Sequence, residues 1–151
     1  MSDRVRMTFD HFAITTLFFN VNNDYKPVSK ITINPEIAEK NEYNGNGHKL
    51  KVFLKVSLNS GNLPFYFTLE GFGIFTFDGE PDEQTLKSVS SINAPAIIFP
   101  YIRETIADLT RRAGFPPLHL QPINFVKLAE RRSATPQKAV PEKKRSTKKI
   151  K

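Results

Sequence analysis

The sequence contains no cysteine and no tryptophan. Without cysteine there can be no disulfide and no thiolate metal site, and the lack suits a reducing cytoplasm. No apolar run approaches the ~18 residues that a membrane-spanning helix needs. Residues 9–19 come nearest, and Asp10, His11, Thr15 and Thr16 break them up. The opening Met1-Ser2-Asp3-Arg4 lacks the basic-then-apolar order of a signal peptide. These absences leave a cytoplasmic protein as the expectation. With 151 residues, 39% of them hydrophobic, the chain suits one domain that buries a core without covalent staples.

The net charge of +7 is unevenly spread. Residues 131–151 hold nine lysines and arginines against Glu142 alone, which leaves the rest of the chain one charge short of neutral. The expected organisation is a folded domain over 1–132 and a disordered basic tail over 133–151, where Pro136 and Pro141 interrupt a lysine run without periodicity. Such a tail can bind polyanions with steep salt dependence. A nucleic-acid or ribosome-associated adaptor is therefore one function class, and a merely solubilising end is its bland counterpart.

Catalytic constellations are missing. His11, His48 and His119 are scattered, with no second histidine or helical glutamate at ligand spacing. No serine sits in a G-x-S-x-G elbow. Gly71-Phe72-Gly73 lacks the Gly-Lys-Ser/Thr that would complete a phosphate loop. Glu80, Asp82 and Glu83 form an acidic turn without the calcium-loop pattern. The sequence thus predicts no enzyme, no metal, no cofactor and no nucleotide site.

Aromatics are abundant instead, with 13 Phe and 4 Tyr. Residues 7–21 read as a long strand with apolar residues on both faces. Residues 22–27 read as a loop, 28–34 as a shorter strand, and Pro35 to Glu42 as a connection or edge. Asn44-Gly45-Asn46-Gly47 is a turn signal. After it Leu50, Val52, Leu54, Val56 and Leu58 alternate with Lys49, Lys51, Phe53, Lys55 and Ser57, giving one aliphatic face and one largely cationic face. A returning strand follows from about Leu63 to Phe77, with Phe65, Phe67 and Leu69 on one face; Gly71 and Gly73 suggest a bulge within it. Helical spacing begins near Asp82, and Ile98, Ile102, Ile106 and Leu109 form one stripe of a longer helix ending at Gly114. A last short helix spans about 123–132, with Asn124 as a cap. Phe18 beside Phe19, and Phe65-Tyr66-Phe67, place bulky rings on both faces of the sheet. One face can bury against helices; the other needs cover from a second copy or a client.

Two blocks add a family to this reading. Asn93-Ala94-Pro95-Ala96-Ile97-Ile98-Phe99-Pro100-Tyr101-Ile102-Arg103-Glu104 and Gly114-Phe115-Pro116-Pro117-Leu118-His119-Leu120-Gln121-Pro122-Ile123-Asn124-Phe125 resemble, in order and spacing, the signature of the SecB export-chaperone family. Gly73-Ile74-Phe75 and the loop Asp24-Tyr25-Lys26-Pro27 resemble further family segments, the loop having Tyr25 where the family has Trp. The resemblance covers about residues 9–128. It implies an α+β fold: a four-stranded antiparallel sheet with two main helices packed on one face, assembled as a homotetramer, a dimer of dimers. It implies an ATP-independent holdase whose partners are unfolded or precursor polypeptides bound for export. Tyr25, Pro27, Phe125 and Leu128 are then expected to line a client groove, and Phe65, Phe67 and Leu69 to serve assembly and client binding. The long helices lie between dimers in that family, which assigns Ile98, Tyr101, Ile102 and Ile106 to a subunit interface. The family also implies hand-over to the SecA motor through acidic residues on the exposed sheet face. The matching positions here are Thr16, Asn20 and Thr68, none acidic, and the tail is basic. A SecB-like chaperone dedicated to one partner, such as an antitoxin, is the variant reading.

Overall fold

Leu50, Val52, Leu54, Val56 and Leu58 are all buried on one face of a single strand, as their alternation predicts. The computed structural model describes residues 4–134; the expected tail beyond Ala134 lies outside the described residues. The elements run β1 (Met7–Val21), β2 (Glu36–Asn44), β3 (Lys49–Leu58), β4 (Phe65–Phe77), α1 (Glu83–Ser88), α2 (Ala94–Arg112) and α3 (Phe125–Ala134). The four strands form one antiparallel sheet in the order β1-β4-β3-β2. Since β1 and β2 sit at opposite edges, residues 22–35 must cross the end of the sheet. That crossing is why 28–34 is irregular rather than the strand its Ile31 and Ile33 suggest. The strand lies instead at Glu36–Asn44, where sequence reading places a connection. Its charged residues suit an edge, because they discourage pairing with foreign strands.

β4 runs unbroken from Phe65 to Phe77, so Gly71-Phe72-Gly73 is not a bulge. The register shifts fall in β1, between Phe9 and His11 and between Ile14 and Thr16. Both glycines point to the helix side, and the reason is proximity. A Cβ on Gly73 would lie 2.9 Å from Ile98 Cδ1 and from Phe75 Cε2; one on Gly71 would lie 2.7 Å from Phe12 Cζ. Gly73→Ala is therefore expected to cost roughly 1–3 kcal/mol by overpacking. Gly45→Ala, whose Cβ meets nothing within 4 Å, should be near neutral. Urea midpoints of the two variants decide this.

α1 starts where Asp82 caps it, accepting from the Thr85 amide at 2.7 Å. These amide donors hold the Asp82 carboxyl below its ordinary value. A π-helical turn over Val89–Asn93 joins α1 to α2. Pro95 has no N–H to offer Ser91, and the ladder widens there, with the Ala94 amide bonding Val89 O. α2 ends in a Schellman arrangement: Phe115 N donates to Thr110 O, Gly114 N donates to Arg111 O, and Gly114 takes a φ of +90°. The core lies between the sheet and α2, where Ile98, Ile102 and Ile106 bury against β3 and β4 together with Phe67, Leu69 and Phe75. α3 packs beside α2 through Phe125, whose ring meets Phe99 at 6.0 Å.

Candidate functional site

Prolines shape the ground beside the core. Pro116, Pro117 and Pro122 keep 115–124 out of a helix, so the segment runs extended along α2. Thr110 fixes its start. This threonine is fully buried, its hydroxyl donating to Ile106 O at 3.0 Å and accepting from the Leu118 amide at 2.9 Å. Opposite, the crossover is pinned at its near end. Asn22 Nδ2 donates to Leu63 O at 2.8 Å, and Lys26 and Asn62 exchange two hydrogen bonds. Between these two extended segments lies a cleft of about 420 Å³, with Ile33, Pro35 and Ile37 on one wall, Leu118, Leu120 and Ile123 on the other, and Phe99 at its base. A second cleft of about 410 Å³ lies under the exposed Val28 and Ile31, against the β3–β4 hairpin. A third, of about 760 Å³, lies between β2, α1 and α3 and is more polar. An extended apolar segment fits the first: hydrophobic walls, open ends and no buried charge.

The structure redistributes the residues named from sequence. Tyr25 and Pro27 stand on the crossover loop but line neither cleft that the crossover borders. Phe125 is buried against Phe99, and Leu128 is half-buried on α3. Phe65, Phe67 and Leu69 belong to the core, sealed beneath the subunit's own elements; Phe65 stacks on Phe19 and meets Phe115. As drawn they are not a surface offered to a client. Ile98, Ile102 and Ile106 are likewise core residues facing their own sheet, since the stripe that periodicity finds is the one α2 spends on β3 and β4. Of the four interface expectations only Tyr101 is available, 44% exposed and stacked on Phe12 at 4.9 Å.

Sequence reading misses a bare strip on β1. α2 covers β3 and β4 and leaves β1 free beyond Phe12. Ile14, Leu17 and Val21 lie on the helix side of the sheet, 40%, 50% and 38% exposed. Phe18 stands 55% exposed on the other face. The signal was there in the mismatch between a 15-residue strand and one helix. On that other face Thr16, Asn20 and Thr68 sit as expected, and Lys51 lies over the rings of Phe72 and Phe53 at 4.2 and 4.9 Å. At the far end of β2 the half-buried Tyr43 donates to Glu80, which also pairs with His48 at 2.9 Å; desolvation and the Glu80 charge raise the Tyr43 phenol above its usual value. Among the described residues no group of three or more His, Asp or Glu could hold a metal ion, and no helix is long and apolar enough to cross a membrane.

The fold and its clefts define a small α+β protein with a helix-covered antiparallel sheet and extended segments framing apolar grooves. The chain belongs to the SecB family: residues 8–135 match the model of preprotein translocase subunit SecB. A protein-export protein SecB from Dinoroseobacter shibae is 39% identical over 101 residues, covering 62% of this chain and 58% of its own length. One from Xanthobacter autotrophicus is 36% identical over 109 residues, covering 70% of this chain and 69% of its own. Against the first of these the chain spans little more than half the relative's length. Among solved structures, a SecB-like chaperone of Mycobacterium tuberculosis, in complex with a ChAD peptide from the HigA1 antitoxin, superposes with a TM-score of 0.66. That match has 22% identity and covers 78% of this chain and 91% of the other, and it supports the fold.

Proposed function

We propose that this chain is an ATP-independent chaperone, not an enzyme, which holds unfolded or precursor polypeptides for export from the cytoplasm. One observation carries the reading: the apolar cleft between the crossover and the segment after α2, in a chain whose relatives are protein-export proteins. Seating one large apolar side chain contributes roughly 1.5–3 kcal/mol. A few such seats reach micromolar holding, near 8 kcal/mol, before ordering costs are subtracted. Copies of the chain held together then gain by avidity on one long client. The β1 strip of Ile14, Leu17 and Val21, with Tyr101 beside it, is the surface a second copy would cover on the way to a tetramer. Hand-over to SecA through carboxylates finds no support at Thr16, Asn20 and Thr68. The sequence relatives favour export over an antitoxin-dedicated or nucleic-acid role.

The test is suppression of light scattering by a denatured enzyme diluted from guanidinium, without nucleotide. The wild-type chain is expected to suppress it. Ile33→Asp combined with Ile123→Asp sets charge on both walls and should weaken client binding at least about tenfold. A wild-type chain that leaves scattering unchanged at molar excess ends the proposal.

A further inference from the structure

Along the helix side of β2, Ile37, Glu39 and Asn41 alternate opposite the buried Val56, Leu54 and Val52. Ile37 lines the apolar cleft; Glu39 and Asn41 line the larger cleft beside α1. The two clefts therefore lie one register step apart on the same strand face, and α3 is what divides them. α3 is a thin partition. It has 10 residues, of which Phe125 alone is fully buried, with Leu128 and Ala129 half-buried. An isolated helix shorter than ~12 residues is marginal. Its far end is tied at one point: Arg132 Nη1 donates to Glu39 Oε2 at 2.7 Å, and the Glu39 side chain is only 7% exposed.

A nearly buried carboxylate with one cationic partner holds while the pair is intact and resists being left alone. That makes the Arg132–Glu39 contact a latch and not a permanent weld, since the rest of α3 brings little burial to the joint. We propose that α3 covers a second seat for extended apolar polypeptide and that this ion pair latches it shut. Lifting α3 joins the two clefts into one furrow along β2. What the covered seat accepts is stated by what α3 now places there, the ring of Phe125 and the aliphatic Leu128. The occupant is thus a client stretch bearing aromatic and branched aliphatic side chains, continuous with the stretch in the open cleft. This rests on the client-holding reading above.

The test uses two labelled peptides of alternating Leu and Ser, about 6 and about 12 residues long, a strand advancing ~3.3 Å per residue. Arg132→Gln is expected to tighten the longer peptide roughly tenfold, to leave the shorter unchanged, and to speed amide exchange in α3 roughly tenfold while that of β3 and β4 holds. Glu39→Gln with Arg132→Gln, which leaves no unpaired charge, guards against misfolding and should behave alike. The sequence has no other cysteine, so Glu39→Cys with Arg132→Cys, bridged by a short bismaleimide, should pull the longer peptide down to the affinity of the shorter. Unaltered α3 exchange in both released variants overturns the latch. Faster exchange with no gain for the longer peptide overturns the seat. If the shorter peptide fails to bind the wild-type chain, the holding role is struck instead, and the seat then stands or falls on whether the longer peptide binds the released variants.

Discussion

Truncating Ile102 to alanine will lower the unfolding free energy by about 2–5 kcal/mol, the range for emptying a buried aliphatic site. Domains of this kind hold only about 5–15 kcal/mol in total, so the urea midpoint should fall by a large fraction. Ile102 is fully buried in the subunit, between Ile98 and Ile106 on the α2 face that meets β3 and β4. The loss is accordingly expected at every protein concentration. A residue whose main contacts lie in a neighbouring copy would behave otherwise, its effect growing on dilution by mass action. Urea titrations of the variant at two concentrations a hundredfold apart separate the cases. A midpoint that falls only in the dilute sample would return Ile102 to an interface.

Thr110→Val should cost about 1–3 kcal/mol although it keeps the shape of the side chain. The hydroxyl accepts from the Leu118 amide and donates into the last turns of α2. Valine leaves that amide without its partner at the root of the extended segment. The effect should reach past stability, because Leu118 and Leu120 form one wall of the apolar cleft. Scattering suppression is expected to weaken under conditions where circular dichroism still reports a folded chain. Thr110→Ser, which restores the hydroxyl, should recover most of the binding. If valine and serine variants hold clients equally well, the hydroxyl does not position that wall.

Much of the sheet was legible because β3 and β4 have one wet face and one dry face, and a period of two records that difference residue by residue. α2 was legible for the same reason at its own period, down to the Gly114 cap. β2 was not, because a charged edge strand needs no apolar alternation; its pairing is dictated by the strand beside it. Gly71 and Gly73 were misread since the demand on them comes from Phe12 and Ile98, distant in sequence, and not from a local bend. The site was legible by segment and not by side chain. The crossover and the chain after α2 do frame the cleft, yet its walls come from Ile33, Pro35, Leu118 and Leu120 while Tyr25 and Pro27 stand apart. Nor can periodicity distinguish an apolar stripe that meets its own sheet from one reserved for a neighbour, since the spacing is identical. Ile98, Ile102 and Ile106 fall on the first side and Tyr101 on the second.

The two rims of the sheet are chemically unequal. β2 presents Glu36, Lys40 and Glu42 along its length, with Lys40 and Glu42 paired at 3.3 Å, a rim that repels a stranger's backbone. β1 carries Ile14, Leu17, Phe18 and Val21 with no such guard. Lateral growth by strand addition is thereby confined to one side of the molecule. Two such bodies meeting rim to rim about a twofold axis use up the only adhesive border each has, and the outcome is a closed pair where a sheet sticky on both sides would run on into a fibre.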